Sequence, residues 1–69
     1  MKYAVISSSE PEGWVATVPD LPGCATQGDT LEECKENIVE AIDAYVSATK
    51  ELGRRIPDAR TVVETVEAA

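Results

Sequence analysis

Pro19-Asp20-Leu21-Pro22-Gly23-Cys24-Ala25-Thr26-Gln27-Gly28-Asp29-Thr30-Leu31-Glu32-Glu33 is the stretch on which the reading of the fold turns. Pro19 and Pro22 restrict φ and push the residues before them into extended backbone, while Gly23 and Gly28 admit positive φ. Thr30 and Glu33 have the spacing of a capping box, in which the Thr30 hydroxyl accepts from the Glu33 amide and the Glu33 carboxylate reaches back to the Thr30 amide. A stiff corner, a short third strand over residues 24–27 and a helix beginning at Leu31 are therefore expected in that order.

Downstream, Leu31, Cys34, Ile38, Ala41, Ile42, Tyr45, Ala48 and Leu52 fall on one stripe at helical periodicity. Gly53 stands where a left-handed C-cap belongs, and Arg54 and Arg55 put positive charge at the negative end of the helix dipole. At about 1.5 Å per residue such a helix is ~33 Å long, enough to cross a small sheet. Opposite the apolar stripe, Glu32, Glu36, Glu40 and Asp43 line up. Their i,i+4 repulsion is worth only a few tenths of a kcal/mol. That line reads either as a solvated face or as a surface that speeds association with a basic partner. Val39 and Val46, one heptad apart on the flank of the stripe, suit a helix-side contact between copies.

Upstream, residues 2–7 alternate as a first strand, with Tyr3 and Val5 on one side and Ala4 and Ile6 on the other. Residues 8–13 have the polar, Pro and Gly content of a hairpin connection, and residues 14–18 form the returning strand. Beyond the helix, Ile56-Pro57-Asp58 is a loop, and residues 60–67 alternate Val62, Glu64 and Val66 against Val63 and Thr65 as a fourth strand. A right-handed crossover then sets that strand parallel to the third and beside the first. The expected fold is α+β: a single β-β-β-α-β domain over residues 1–69, with a mixed four-stranded sheet of order 3-2-1-4 and one long helix on one face. The other face keeps apolar side chains, Val15 among them, either as ordinary surface or as a contact for a second copy or partner.

A chain of 69 residues buries only about 60% of its unfolded surface, so self-association, as a dimer or higher, is expected. Hydrophobic residues at 43% fit a folded core. A net charge of −7 argues against direct nucleic-acid binding and for a basic protein partner. No apolar run approaches the ~20 residues of a membrane span, and Met1-Lys2-Tyr3-Ala4-Val5-Ile6-Ser7 turns polar too soon for a signal peptide. A cytoplasmic setting is expected, in which Cys24 and Cys34 stay reduced; their spacing matches no zinc motif, and they read as small apolar residues.

Nucleophile-and-base catalysis lacks its usual base, since there is no histidine. A 3-2-1-4 sheet with a helix resembles part of the ribonuclease H fold, which raises metal-dependent nuclease activity. Two-metal chemistry needs carboxylates converging from the first strand, the helix and a later strand. The first strand supplies none, and Glu36 or Glu40 with Glu64 is too few. No catalytic residue, metal or cofactor is therefore expected, and Gly28 alone makes no phosphate loop.

The run Gly13-Trp14-Val15-Ala16, the corner Pro19-Asp20-Leu21-Pro22-Gly23-Cys24 and the run Thr26-Gln27-Gly28-Asp29-Thr30-Leu31-Glu32-Glu33 together resemble the HicB antitoxin family of type II toxin–antitoxin systems. The resemblance extends through the helix and the Ile56-Pro57 loop. It implies a partly formed ribonuclease H-like fold. It also implies binding and silencing of HicA, a small basic mRNA-cleaving toxin with a double-stranded-RNA-binding-like fold, by occlusion of its RNA-binding and catalytic surface. Asp20, Leu21, Gln27, Asp29 and Glu33 stand at family-motif positions. With Glu32, Glu36 and Glu40 they are the expected toxin contacts. Many family members carry a C-terminal DNA-binding segment; none is read here, so direct DNA binding by this chain alone is not expected. The alternative is an orphan, homo-oligomeric interaction protein without a toxin.

Overall fold

The computed structural model describes residues 2–69. Its elements are β1 (Ile6–Glu10), β2 (Gly13–Thr17), β3 (Ala25–Gly28) and α1 (Leu31–Glu51). The strands form an antiparallel meander of order β1-β2-β3. The α+β class, the meander and the single long helix are as expected. The details of the first and last strands are not.

β1 begins four residues later than the alternation of residues 2–7 suggests, because the hairpin is tight. Glu10 pairs with Gly13, so the connection is the two residues Pro11 and Glu12, and Ser8 and Ser9 lie in the strand opposite Val15 and Trp14. Gly13 makes this turn feasible: its φ is +146°, and a Cβ there would come within 2.6 Å of the Gly28 carbonyl oxygen. At the other end the β1–β2 ladder stops at Ile6 and Thr17. The next residue, Val18, donates its amide to the Cys24 carbonyl at 3.0 Å, and Pro19 has no amide to offer the first strand. Residues 2–5 thus lie outside the ladder, while Tyr3 and Val5 still pack against the core.

The corner itself is tied by its own backbone. Leu21 donates to the Val18 carbonyl at 3.0 Å and Cys24 to the Leu21 carbonyl at 2.9 Å. These bonds drop Leu21 into the core beside Ala16, Val18, Cys24, Cys34 and Ile38. The apolar stripe of α1 meets the sheet through Cys34 and Ile38, with Ala41, Ile42 and Tyr45 half-buried around them. Its ends, Leu31 and Leu52, are exposed.

α1 starts and stops where its local chemistry directs. The Thr30 hydroxyl accepts from the Glu33 amide at 3.1 Å. The reciprocal arm of the box reaches one residue further back than expected, Glu33 Oε1 accepting from the Asp29 amide at 3.3 Å. At the C-terminus, Arg54 donates to the Thr49 carbonyl and Gly53 to the Lys50 carbonyl, both at 3.0 Å, with Gly53 at φ +68°. This is the paired bonding of a Schellman end. Gly28, read from sequence as a positive-φ position, instead serves close approach: a Cβ there would lie 2.7 Å from the Cys34 nitrogen. Helix and strand backbones touch at that point.

The expected fourth strand is corrected. No strand forms over residues 60–67, so the sheet has three strands and is wholly antiparallel, not a mixed sheet of order 3-2-1-4. The Asp20 carboxylate accepts from the amides of Arg60 and Thr61 through Oδ2, both at 2.8 Å, and from the Thr61 hydroxyl through Oδ1 at 2.8 Å. The two amides that would open a ladder are therefore held by the corner between β2 and β3. Alternation identifies a segment able to be a strand but not the edge it pairs with. Among the described residues no helix is long and apolar enough to cross a membrane.

Candidate functional site

The β1–β2 turn, the end of β3 and the start of α1 meet at one end of the sheet, because the register sets Glu10 opposite Gly13 and Trp14 opposite Gly28. Between them lies a groove of about 390 Å³. Trp14 and Val15 supply its apolar wall, and Glu10, Glu12, Asp29 and Glu33 bring four carboxylates to it. No Lys or Arg is among its lining residues.

The groove is braced from behind. Asn37 Nδ2 on α1 donates to the Gln27 carbonyl at 2.9 Å, and Glu33 is held by the Asp29 amide. Glu10 and Glu12, by contrast, project from the hairpin as exposed side chains. Low potential beside an indole suits an ammonium or guanidinium group, which gains charge-assisted hydrogen bonds from carboxylates and cation–π attraction from the ring.

The far end of the molecule has the opposite character. Arg54 and Arg55 follow the C-terminus of α1, and Arg60 lies beside Asp20. The hydrogen bonds from Thr61 and Arg60 hold the Asp20 carboxyl below its ordinary range. The exposed Arg55–Asp58 pair at 3.3 Å is of the kind that contributes little. Charge is thus segregated along the helix, acidic at its start and basic beyond its end.

Of the residues singled out in the sequence, the fold brings Gln27, Asp29 and Glu33 together at the groove. Glu32, Glu36 and Glu40 are exposed on α1 but outside it. Leu21, also expected as a contact, is wholly buried in the core of the single chain. Asp20 is engaged by residues 60 and 61. On the helix flank Val39 is 57% exposed and Val46 is half-buried. Glu10, Glu12 and Trp14, not among the contacts expected from sequence, also line the groove. Pro11-Glu12, read as a two-residue turn, sets Glu10 opposite Gly13, but only the further pairing of Trp14 with Gly28 brings both glutamates beside the helix start.

Both cysteines are free and buried. Burial pushes the Cys24 thiol up, away from the reactive thiolate. Among the described residues no group of three or more His, Cys, Asp or Glu is arranged to hold a metal ion.

Residues 3–69 match the family described as the HicB_like antitoxin of bacterial toxin-antitoxin system. The chain belongs to the HicB-like antitoxin family. It is 48% identical over 58 residues to a UPF0150 protein of Thermoplasma acidophilum, covering 83% of this chain and 84% of that one. A UPF0150 protein of Archaeoglobus fulgidus is 41% identical over 51 residues, 72% and 74% of the two chains. Antitoxin HicB 2 of Photorhabdus laumondii is 34% identical over 56 residues, 75% of this chain but 40% of that longer protein. Membership of the HicB-like antitoxins carries a role in a toxin–antitoxin system and, with it, a toxin as partner. The acidic groove gives this HicB-like chain a surface chemically suited to a cationic protein.

Proposed function

We propose that this HicB-like antitoxin binds and neutralises a small basic, mRNA-cleaving toxin of the HicA type by occluding its RNA-binding and catalytic surface, with no catalysis of its own. The observation that carries this reading is the groove of four carboxylates around Trp14, in a family member of net charge −7. A surface that grips RNA phosphates must be cationic, and carboxylates compete for the same side chains. Glu32, Glu36 and Glu40 on the exposed side of α1 extend the negative field and steer encounter. Asp29, Gln27 and Glu33 contact the toxin from the groove, while Asp20 acts at a distance by fixing the chain that follows the helix. The encounter takes place in the cytoplasm, where the toxin's mRNA substrate lies. Val39 and Val46 provide a helix-side meeting point for copies.

The test is capture of the tagged protein from its own host at low and high salt, with each co-purifying protein identified by mass. A small basic protein that leaves as salt rises supports the reading; recovery of the chain alone refutes it in favour of an orphan oligomer. With the toxin in hand, Glu10→Lys with Glu12→Lys is expected to weaken binding about ten-fold or more at low salt. Glu32→Lys, Glu36→Lys and Glu40→Lys together act chiefly on the association rate. Affinity unchanged by both sets would end the electrostatic reading.

A further inference from the structure

We infer that residues 54–61 form a strap, hinged at Gly53 and shut by two latches, Tyr3 and Asp20, and that it opens as a single unit while the sheet and α1 stay folded. Little else holds the segment. Among the described residues, no backbone–backbone hydrogen bond joins residues 55–61 to the rest of the chain. Ile56, Pro57 and Thr61 are half-buried, and the other residues of the strap are exposed. Nor does the strap settle onto the helix: a gap of about 260 Å³ is left between Pro57 and the end of α1, where Tyr45 and Leu52 line it.

Side chains from elsewhere do the holding. The Tyr3 hydroxyl donates to the Pro57 carbonyl at 2.6 Å. Asp20 accepts three bonds, from the Arg60 amide and from the amide and hydroxyl of Thr61, each at 2.8 Å. The latches come from different parts of the fold, Tyr3 from the segment before β1 and Asp20 from the corner between β2 and β3. Only Asp58 and Ala59 lie between Pro57 and Arg60, a span of at most ~11 Å. So short a link lets neither end travel far while the other is fastened, and the latches therefore release together. At the hinge, Gly53 has φ +68° and nothing within 4 Å of where a Cβ would stand, so rotation there meets no neighbour. On the other side residues 62–69 are all exposed and follow the strap without unpacking. Opening bares Tyr3 and Tyr45, both half-buried against the core. The strap carries Arg54, Arg55 and Arg60 and lies away from the acidic groove, so its opening stands or falls separately from toxin binding.

Limited trypsin digestion of the full-length protein, with fragments identified by mass, reads the strap through two sites inside it, after Arg55 and after Arg60; Lys35, exposed on α1, reports unfolding of the whole domain. Where opening and closing outpace cleavage, each rate follows the population of the open form. In the unaltered protein the two strap cuts are expected to be faster than the Lys35 cut and to respond little to low urea, in which the Lys35 cut accelerates. Tyr3→Phe removes one bond and is expected to speed the cuts after both Arg55 and Arg60 by about two- to ten-fold; Asp20→Ala removes three and is expected to speed both by about ten-fold or more, each with unchanged helical circular dichroism. A common response at both sites is the signature of one unit. The strap is overturned if Tyr3→Phe speeds only the Arg55 cut and Asp20→Ala only the Arg60 cut, which makes them independent ties. It is equally overturned if the strap cuts rise with urea as steeply as the Lys35 cut, which ties opening to global unfolding, or if neither variant changes either rate.

Discussion

Gly28→Ala is the substitution that tests how sheet and helix are joined. An alanine Cβ would lie 2.7 Å from the Cys34 nitrogen and 3.0 Å from its Cα, whereas an ordinary contact begins at 3.4 Å. Both obstacles are backbone in the first turn of α1, so no rotamer change relieves them, and the helix start must move away by roughly 0.7 Å, the shortfall between 2.7 and 3.4 Å. That movement pulls on three neighbours at once: the Thr30 cap at 3.1 Å, the Glu33–Asp29 bond at 3.3 Å and the Asn37–Gln27 bond at 2.9 Å. Overpacking of this kind costs about 1–3 kcal/mol, against the ~0.4–1 kcal/mol that Gly→Ala gains where no clash exists. A net loss of about 1–2 kcal/mol is expected in urea unfolding, or about 4–8 °C in midpoint per kcal/mol for a chain this size. Gly23→Ala is the control: it has positive φ, +82°, but nothing within 4 Å, so its cost is limited to the ~1–2 kcal/mol of a left-handed alanine. The two variants differ in kind, and amide shifts across residues 29–37 should move in Gly28→Ala alone. Unchanged stability in Gly28→Ala, with those shifts in place, would refute the close backbone contact.

Thr30→Ala removes the acceptor for the Glu33 amide and should cost about 1 kcal/mol, with Thr30→Ser restoring most of it; equal stability of all three proteins in thermal unfolding would discount the cap. Ile38→Ala, in a core of few residues, should cost about 2–5 kcal/mol and leave the chain largely unfolded at modest urea, read by circular dichroism. The Asp20 clasp has a defined pH sense. Its carboxyl is held below the ordinary range when bonded to Thr61 and Arg60, so the clasp is complete above that range and is lost as pH falls through the depressed value. Amide signals of Arg60 and Thr61 should therefore shift at acid pH in the native protein and show no such titration in Asp20→Asn; their constancy down to about pH 2 would argue that the carboxylate does not hold them.

Much of this protein was legible in residue order because the signals were local. Thr30 with Glu33, and Leu52-Gly53-Arg54, mark both helix ends through bonds that span five residues or fewer. The period of Cys34, Ile38, Ala41, Ile42 and Tyr45 identifies the buried face, and the three motif runs all fall within residues 13–33. Tyr3 and Val5 alternate like a strand yet lie before β1, which begins at Ile6. What ends the ladder is Pro19, thirteen residues after Ile6, by lacking the amide the next pair would need.

The groove and the C-terminal arm were decided only by tertiary structure. Glu10, Glu12, Asp29 and Glu33 are unremarkable surface acids until the register of β1, β2 and β3 brings the hairpin turn beside the helix start. Residues 60–67 carry the composition of a strand, but a strand is a relation between two backbones. Asp20, forty residues away, holds the first two amides and leaves the valines beyond Thr61 exposed. Helix caps and periodicity belong to the chain itself; register, edge and clasp depend on which distant segments meet, and packing alone determines that.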